Sequence, residues 1–165
     1  MRILGIDPGT ATIGFGIIET GQQKHRLLDY GCIKTAAGLP LSERLKQIYD
    51  DLKIIVEKWK PQAIAIEELF FSKNVKTAIQ VAQARGAIMQ QMALGKHQIA
   101  EYKPQQVKVS VCGYGKAEKK QVQKMVQLIL EMDEMPQPDD AADALALAIC
   151  HANSLHMQAL VAQSY

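Results

Sequence analysis

A short, almost wholly apolar run at residues 63–66 constrains the fold more than any other feature of the sequence. Pro61 precedes this run and Glu67 directly follows it, so the apolar stretch has the length of a strand rather than a helix. A strand without alternating polar residues is typically buried on both faces of a sheet. We therefore predict a central strand here, in a sheet that other elements cover on both sides.

The surrounding pattern predicts strands and helices in the order typical of an α/β protein. Apolar–polar alternation and turn residues predict three early strands joined as an antiparallel meander, at residues 2–6, 13–19 and 26–35. Helices are expected at residues 41–59, 78–94, 118–132 and 139–156, and a fifth strand at residues 98–102. This order favours a mixed five-stranded sheet flanked by helices.

Length and composition suit a single folded domain spanning residues 1–165. The chain is 48% hydrophobic and 22% charged, which is typical of globular proteins and excludes the composition of a disordered chain. The sequence has no run of 18 apolar residues and begins with a very short apolar segment, so we expect a cytoplasmic protein without a membrane partner. The cysteines, with no Cys-x-x-Cys pair, are expected to be reduced and mostly buried thiols: Cys32, Cys112 and Cys150.

The net charge of +2 hides a strong segregation of charge along the chain. Residues 69–124 contain ten basic and two acidic side chains, a local net charge of +8, and the rest of the chain carries −6. Residues 131–143 contain six acidic side chains and no basic one. This pattern suggests a polyanion on one surface with a metal beside it. The alternative is that the lysines are solvated on helix faces and that the acids complement a helix dipole.

Four carboxylates are the candidate ligands for such a metal. Asp7 and Glu67 each follow a predicted strand, so they converge at one edge of the sheet if those strands are neighbours. Asp140 and Asp143 lie three residues apart and share a face at the start of the last predicted helix. Hard oxygen donors favour Mg²⁺ or Mn²⁺ over Zn²⁺, and two such ions about 3.5–4 Å apart serve phosphoryl transfer. Taken singly, these acids could instead be turn or capping residues. The four histidines lack ligand spacing and are expected to be core or surface residues.

Four short motifs follow one another along residues 2–151: Gly5-Ile6-Asp7-Pro8-Gly9-Thr10, Ala65-Ile66-Glu67-Glu68-Leu69-Phe70, Gln83-Ala84-Arg85-Gly86 and Asp140-Ala141-Ala142-Asp143-Ala144-Leu145-Ala146. In this order they resemble the RuvC-type Holliday junction resolvases. The first motif alone also resembles the phosphate loops of actin-like proteins and sugar kinases, which need two large lobes that this chain is too short to supply. The resemblance implies a ribonuclease-H-like fold, a homodimer, a branch-migration helicase complex as partner, and Mg²⁺-dependent nicking of two opposed strands at a four-way DNA junction.

The resemblance also implies roles for individual residues. The metal-binding and catalytic carboxylates correspond to Asp7, Glu67, Asp140 and Asp143, with two ions in each active site. Asp139 precedes the matching aspartate, and we interpret it as a cap or a bystander. The residues that correspond to DNA-contacting positions or lie beside them are Phe70, Phe71, Lys73, Asn74, Lys76, Arg85, Lys108, Lys119 and Lys120. Outside the family context, the two phenylalanines could be core residues and the lysines solvated ones.

Two other functions remain as alternatives. A ribonuclease-H-like nuclease acting on ribosomal RNA precursors would need similar acids, but the spacing of Asp140 and Asp143, the segment 70–74 and the glycine-containing segment 113–116 favour the resolvase. A non-catalytic junction-binding module gains nothing from acids beside DNA phosphates. The sequence offers only apolar helix faces as a dimer interface, among them residues 78–92.

Overall fold

The computed structural model describes residues 1–21, 24–68 and 75–163, with the backbone alone for residues 75–77. The elements in chain order are β1 (Arg2–Asp7), β2 (Thr12–Thr20), β3 (His25–Lys34), α1 (Leu41–Trp59), β4 (Ala63–Glu67), α2 (Val75–Leu94), β5 (Gln98–Tyr102), α3 (Pro104–Cys112), α4 (Lys119–Ile129) and α5 (Asp139–Ala162).

The strands form one sheet in the order β3-β2-β1-β4-β5. Strands β1, β2 and β3 are antiparallel neighbours, whereas β4 pairs in parallel with β1 and β5 in parallel with β4. The predicted meander and the mixed five-stranded sheet are therefore confirmed.

The two faces of the sheet pack against different helices, because successive side chains of a strand point to opposite faces. Ile3 and Ala65 pack in a cluster with α3, α4 and α5, and Leu4 and Ile64 pack in a second cluster with α1 and α2. All of residues 63–66 are buried. The prediction of a central strand covered on both faces is confirmed.

Helix α3 was not predicted from the sequence. Its valines alternate along the chain, which does not give an obvious helical pattern, but Val107 and Val111 are four residues apart and both are buried, while Val109 is half-exposed. Pro104 occupies the first turn, where a proline is compatible with a helix. Two features therefore stabilise α3: the burial of Val107 and Val111 on one face, and a proline in the first turn.

Helix boundaries and thiol burial differ from expectation at several points. Helix α2 begins three residues earlier than predicted, α4 is shorter at both ends, and α5 extends six residues further. The extension of α5 is largely exposed, so no buried face marks it in the sequence. Of the three free cysteines only Cys150 is buried, and Cys32 and Cys112 are partly exposed, which corrects the expectation of mostly buried thiols.

Among the described residues, one helix, α5, is long and apolar enough to cross a membrane by length and composition alone. Half of its most apolar window is buried inside the protein, where α5 packs on β1, β2, α3 and α4. The core helix of a globular protein meets the same criterion, so this observation is weak support for a membrane span.

Candidate active site

Two of the predicted carboxylates lie at the ends of neighbouring parallel strands. Ile6 of β1 pairs with Ile66 of β4, and Asp7 and Glu67 are the residues that follow them. By strand alternation Asp7 shares a face with Ile3 and Gly5, which is the face that α5 covers. The sheet therefore presents both carboxylates at one edge, toward α5.

The other two carboxylates lie in the first turns of α5, which approaches the strands very closely. A Cβ atom on Gly5 would overlap the carbonyl oxygen of Ala144, and a Cβ atom on Gly14 would overlap that of Asp140. The absence of side chains at these two strand positions is what lets the backbone of α5 rest on the sheet. Asp140 and Asp143 are thereby brought to the same edge as the strand-end carboxylates.

Burial and the charges of neighbouring acids raise the pKa of Asp7, Glu67 and Asp143. Burial, together with the charges of Glu67, Asp143 and Asp140, raises the pKa of Asp7 to about 7. Burial, with the charge of Asp143, also raises the pKa of Glu67. Burial raises the pKa of Asp143 and outweighs the hydrogen bond from Lys119, which lowers it. The four carboxylates thus hold more negative charge than their protein neighbours compensate.

Lys119, at the start of α4, forms an ion pair with a carboxylate of this site. Its Nζ lies 3.0 Å from Oδ2 of Asp143 and 3.4 Å from Oδ2 of Asp139. Partial burial lowers the pKa of Lys119, but its hydrogen bonds to Asp143 and Asp139 and the charges of these acids hold the pKa above its usual value. Lys119 was predicted to contact DNA, and the structure places it directly beside the carboxylates.

Asp139 is neither the helix cap nor free of contacts. The N-cap position of α5 is Pro138, and Oδ1 of Asp139 accepts a hydrogen bond of 2.7 Å from Nε2 of the buried Gln123. This hydrogen bond, with the charge of Lys119, lowers the pKa of Asp139. Asp139 is therefore not the helix cap, and both Gln123 and Lys119 contact it. The sequence contains a signal for these contacts, because Lys119 and Gln123, like Asp139 and Asp143, are four residues apart and share a helix face. This spacing predicts the contacts only once α4 is known to pack against α5.

Acidic and basic side chains line the same cleft. The charged lining residues are Glu67, Asp143, Lys108 of α3 and Lys119, and the apolar lining residues are Pro104, Val107, Val122, Ala146 and Leu147. Lys108 forms no ion pair with any side chain within the described ranges. The cleft can attract an anionic substrate while the carboxylates provide oxygen ligands.

The other predicted DNA contacts are distributed differently. Lys120 lines a second groove with Tyr114 and Lys124. The side chain of Arg85 is only 13% exposed: it pairs with Glu101, and its Nε donates a hydrogen bond of 3.3 Å to the carbonyl oxygen of Glu67. Arg85 therefore lies behind the strand end rather than among the exposed cations. The remaining predicted contacts lie outside the described residues or, for Lys76, have no described side chain: Phe70, Phe71, Lys73, Asn74 and Lys76.

The donor set fits a hard divalent cation in its chemistry. Within the described ranges, no three carboxylate, imidazole or thiol groups already stand in an arrangement that holds a metal ion. Asp143 pairs with Lys119 instead. Burial and the charges of the other three carboxylates nevertheless raise the pKa of Asp7, and a divalent cation would offset this excess of negative charge. The histidines supply no further ligand here: His151 is buried and bonded to the hydroxyl of Tyr102.

Comparisons with known proteins agree with this geometry. The family model for the crossover junction endodeoxyribonuclease RuvC matches residues 3–151. The chain is 49% identical over 160 residues to a RuvC of Alkaliphilus metalliredigens, covering 97% of this chain and 98% of the relative. It is 54% identical over 152 residues to a RuvC of Chloroflexus aurantiacus, covering 92% and 93%.

A solved structure shares the fold. The structure of Thermus thermophilus RuvC in complex with a Holliday junction substrate superposes with a TM-score of 0.91 at 36% identity, covering 96% of each chain. The ribonuclease-H-like fold implied by the sequence motifs is thus confirmed. Because the family model matches most of the chain and the relatives are about half identical to it, the chain belongs to the RuvC family of crossover junction endodeoxyribonucleases.

Proposed function

We propose that this chain is a structure-selective endodeoxyribonuclease that cuts four-way DNA junctions in recombination and repair, with divalent metal ions as cofactor. One observation carries the proposal: four carboxylates meet at one sheet edge, where burial and the charges of Glu67, Asp143 and Asp140 raise the pKa of Asp7. Two of these acids, Glu67 and Asp143, line a cleft together with Lys108 and Lys119. A protein that only binds DNA gains nothing from buried acids beside phosphates, because they repel the backbone. Membership of a metal-dependent nuclease family supports the same function.

The four carboxylates are the residues that would hold the cofactor. Their oxygen donors suit Mg²⁺, with Mn²⁺ as a substitute, and we assign two ions to each site. Bound in this way, divalent ions supply the activation of a water molecule and the stabilisation of the departing 3′ oxygen. The strand ends and α5 supply rigid placement, because β1, β4 and α5 are all packed in the core.

The two lysines of the cleft hold the substrate close to the acids. Lys108 and Lys119 carry positive charge where a phosphodiester must approach four negative groups. Phosphate contacts of this kind provide affinity and position but no sequence readout. Any preference for a cleavage sequence must therefore arise elsewhere, and residues 70–74 are the candidate segment from the family resemblance.

We assign the assembly and the partners from the symmetry of the substrate and from the family. A four-way junction has two equivalent strands to cut, which a two-fold symmetric homodimer matches. The half-exposed Ile79 on helix α2 is a candidate residue for such an interface. A branch-migration helicase complex and a cytoplasmic location complete the proposal, on the family resemblance and the sequence composition respectively.

A nicking assay tests the function. Wild type and Asp7→Asn are incubated with a synthetic four-way DNA junction, a matched linear duplex, an RNA–DNA hybrid and a structured RNA, in Mg²⁺ and in EDTA. Paired nicks on opposed strands of the junction alone, dependent on Mg²⁺ and absent in Asp7→Asn, are expected. Cleavage of the RNA substrates would favour the RNA-processing alternative, and tight junction binding without any cleavage would favour a binding module.

A control variant distinguishes the loss of a candidate metal ligand from the loss of a carboxylate elsewhere on the protein. Asp133→Asn removes a carboxylate from the groove between β3 and the end of α4, away from the four carboxylates. It should cut like wild type. Asp7→Asn should still bind the junction, because it removes negative charge and no phosphate contact.

A further inference from the structure

Asp139 belongs to a four-residue arrangement that joins α4 to α5. Lys119 and Gln123 are four residues apart on α4, and Asp139 and Asp143 are four residues apart on α5. Residues with this spacing share a helix face, so the two pairs oppose each other across the packed helices. Lys119 contacts both acids, and Gln123 contacts Asp139.

Contacts to both carboxylate oxygens restrain the side chain of Asp139, whereas an acid that contacts only solvent is free to rotate. One carboxylate oxygen, Oδ1, accepts the hydrogen bond from Gln123, a buried residue of α4 that is 4% exposed. The other oxygen, Oδ2, faces the ammonium group of Lys119 at 3.4 Å. Asp139 therefore presents a charged oxygen in a defined direction, although its side chain is 53% exposed.

Lys119 has two acidic partners with different surroundings. Asp143 is part of the carboxylate site, whereas Asp139 lies at its edge. A divalent cation on Asp143 would repel the Lys119 ammonium group a few ångströms away. Lys119 would then need another acceptor, and Asp139 is already within reach.

We propose that Asp139 is a positioning residue that keeps the Lys119 ammonium group at the edge of the carboxylate site when a metal occupies Asp143, so that Lys119 faces the DNA phosphate. The inference rests on the proposed function for the role of Asp143. Asp139 itself contacts neither metal nor DNA in this assignment. It acts through Lys119, and the hydrogen bond from Gln123 orients its carboxylate group.

The first test is the affinity for Mg²⁺ of the protein alone, measured by titration calorimetry without DNA. Four proteins form a cycle: wild type, Asp139→Asn, Lys119→Met and the double variant, with Asp133→Asn as the control for the loss of one acid. Asp139→Asn should raise the Mg²⁺ dissociation constant about threefold, the scale expected for a half-exposed ion pair, because Lys119 is left to compete for Asp143. In the Lys119→Met background the same substitution should have almost no effect.

The second test is single-turnover cleavage of a four-way junction at saturating Mg²⁺. Asp139→Asn should slow cleavage about tenfold, less than the roughly 100- to 1,000-fold cost of losing a transition-state donor outright, because Lys119 is displaced and not removed. Asp139→Glu, which keeps the charge, should restore much of the rate. Asp133→Asn should cut like wild type.

The outcomes separate this inference from the proposed function. Equal weakening of Mg²⁺ binding by Asp139→Asn in both backgrounds would show that the acid acts by its charge alone, and unchanged binding would show that it does not steer Lys119; either result overturns the positioning role. A wild-type protein that never cuts junctions would overturn the proposed function, while the calorimetric cycle would still decide where Lys119 is held.

Discussion

Asp7 combines burial with three neighbouring negative charges, and both raise the pKa of its carboxyl group, to about 7. Because the same group titrates near 4 when exposed, folding favours its protonated form. Ionised Asp7 therefore destabilises the metal-free protein. This cost appears as the pH rises above about 4 and is complete above pH 7, the opposite sign to that of a carboxylate held in an ion pair.

Asp7→Asn should stabilise the protein in EDTA at pH 8. A pKa raised by about three units corresponds to up to about 4 kcal/mol in the free energy of unfolding, which asparagine avoids because it cannot ionise. The gain should shrink toward zero near pH 4. Urea unfolding at several pH values measures it, and a variant no more stable than wild type at pH 8 would contradict the electrostatic account.

At the scale of elements, the site depends on how closely α5 lies on the meander. Gly5 and Gly14 leave room for the carbonyl oxygens of Ala144 and Asp140. Arg85 links α2 to the end of β4 through the Glu67 carbonyl oxygen. Helices on both faces of the sheet therefore fix the position of a carboxylate, although only α5 contributes carboxylates of its own.

Gly14→Ala should destabilise the protein by about 3 kcal/mol or more, because its Cβ atom would overlap the backbone of α5, which cannot shift without losing its packing. Thermal unfolding measures the effect. Gly86→Ala in α2 is the control, since no described atom lies within 4 Å of the added Cβ. It should gain up to about 1 kcal/mol from helix propensity. A Gly14→Ala protein with the wild-type melting temperature would refute the close-approach argument.

Helix α3 brings Lys108 into the cleft, and the charge of this residue should be visible in DNA binding. Lys108→Ala should weaken binding to a four-way junction in EDTA and reduce the slope of log affinity against log salt by about one. Binding is measured by fluorescence anisotropy over a series of salt concentrations. Lys53→Ala on α1, which covers the opposite face of the sheet, is the matched control and should leave the slope unchanged.

At the scale of the whole molecule, the excess of basic residues between positions 69 and 124 contrasts with the acidic remainder. The fold places basic residues of α3 and α4 beside the acids of β1, β4 and α5. One face thus carries both the charge that attracts a polyanion and the charge that binds a metal. Two-fold symmetry would give a junction two such faces.

If the proposed homodimer forms, mixed dimers should reveal its symmetry. Co-assembly of wild type with an excess of tagged Asp7→Asn should yield dimers with one competent site, which nick one strand of the junction and do not complete the pair. Gel analysis of a plasmid-borne junction distinguishes single nicks from linear product. The contrary result is that only wild-type dimers cut, so that linear product appears without an excess of nicked circles. That result would contradict one independent active site per subunit.

The sequence by itself determined the elements whose signal is local and the residues at their ends. Helix α1 and strand β5 coincide with the predicted boundaries, and Asp7 and Glu67 follow from strands that end there. The spacing of Asp140 and Asp143 at the start of a predicted helix indicated the other two candidates. The four motifs together indicated the family, which the family match over residues 3–151 confirms. Periodicity arises within one element, so neighbouring residues are sufficient to encode it.

Only the tertiary structure decided which side chains meet across elements. Gln123 and Asp139 are 16 positions apart, and their hydrogen bond exists because α4 packs on α5. Arg85 was predicted to contact DNA, but its side chain is 13% exposed and forms an ion pair with Glu101 of β5. Helix α3 is stabilised because Val107 and Val111 pack in the core cluster that also contains residues of α4 and α5. Such contacts depend on the packing of distant segments, which no local pattern specifies.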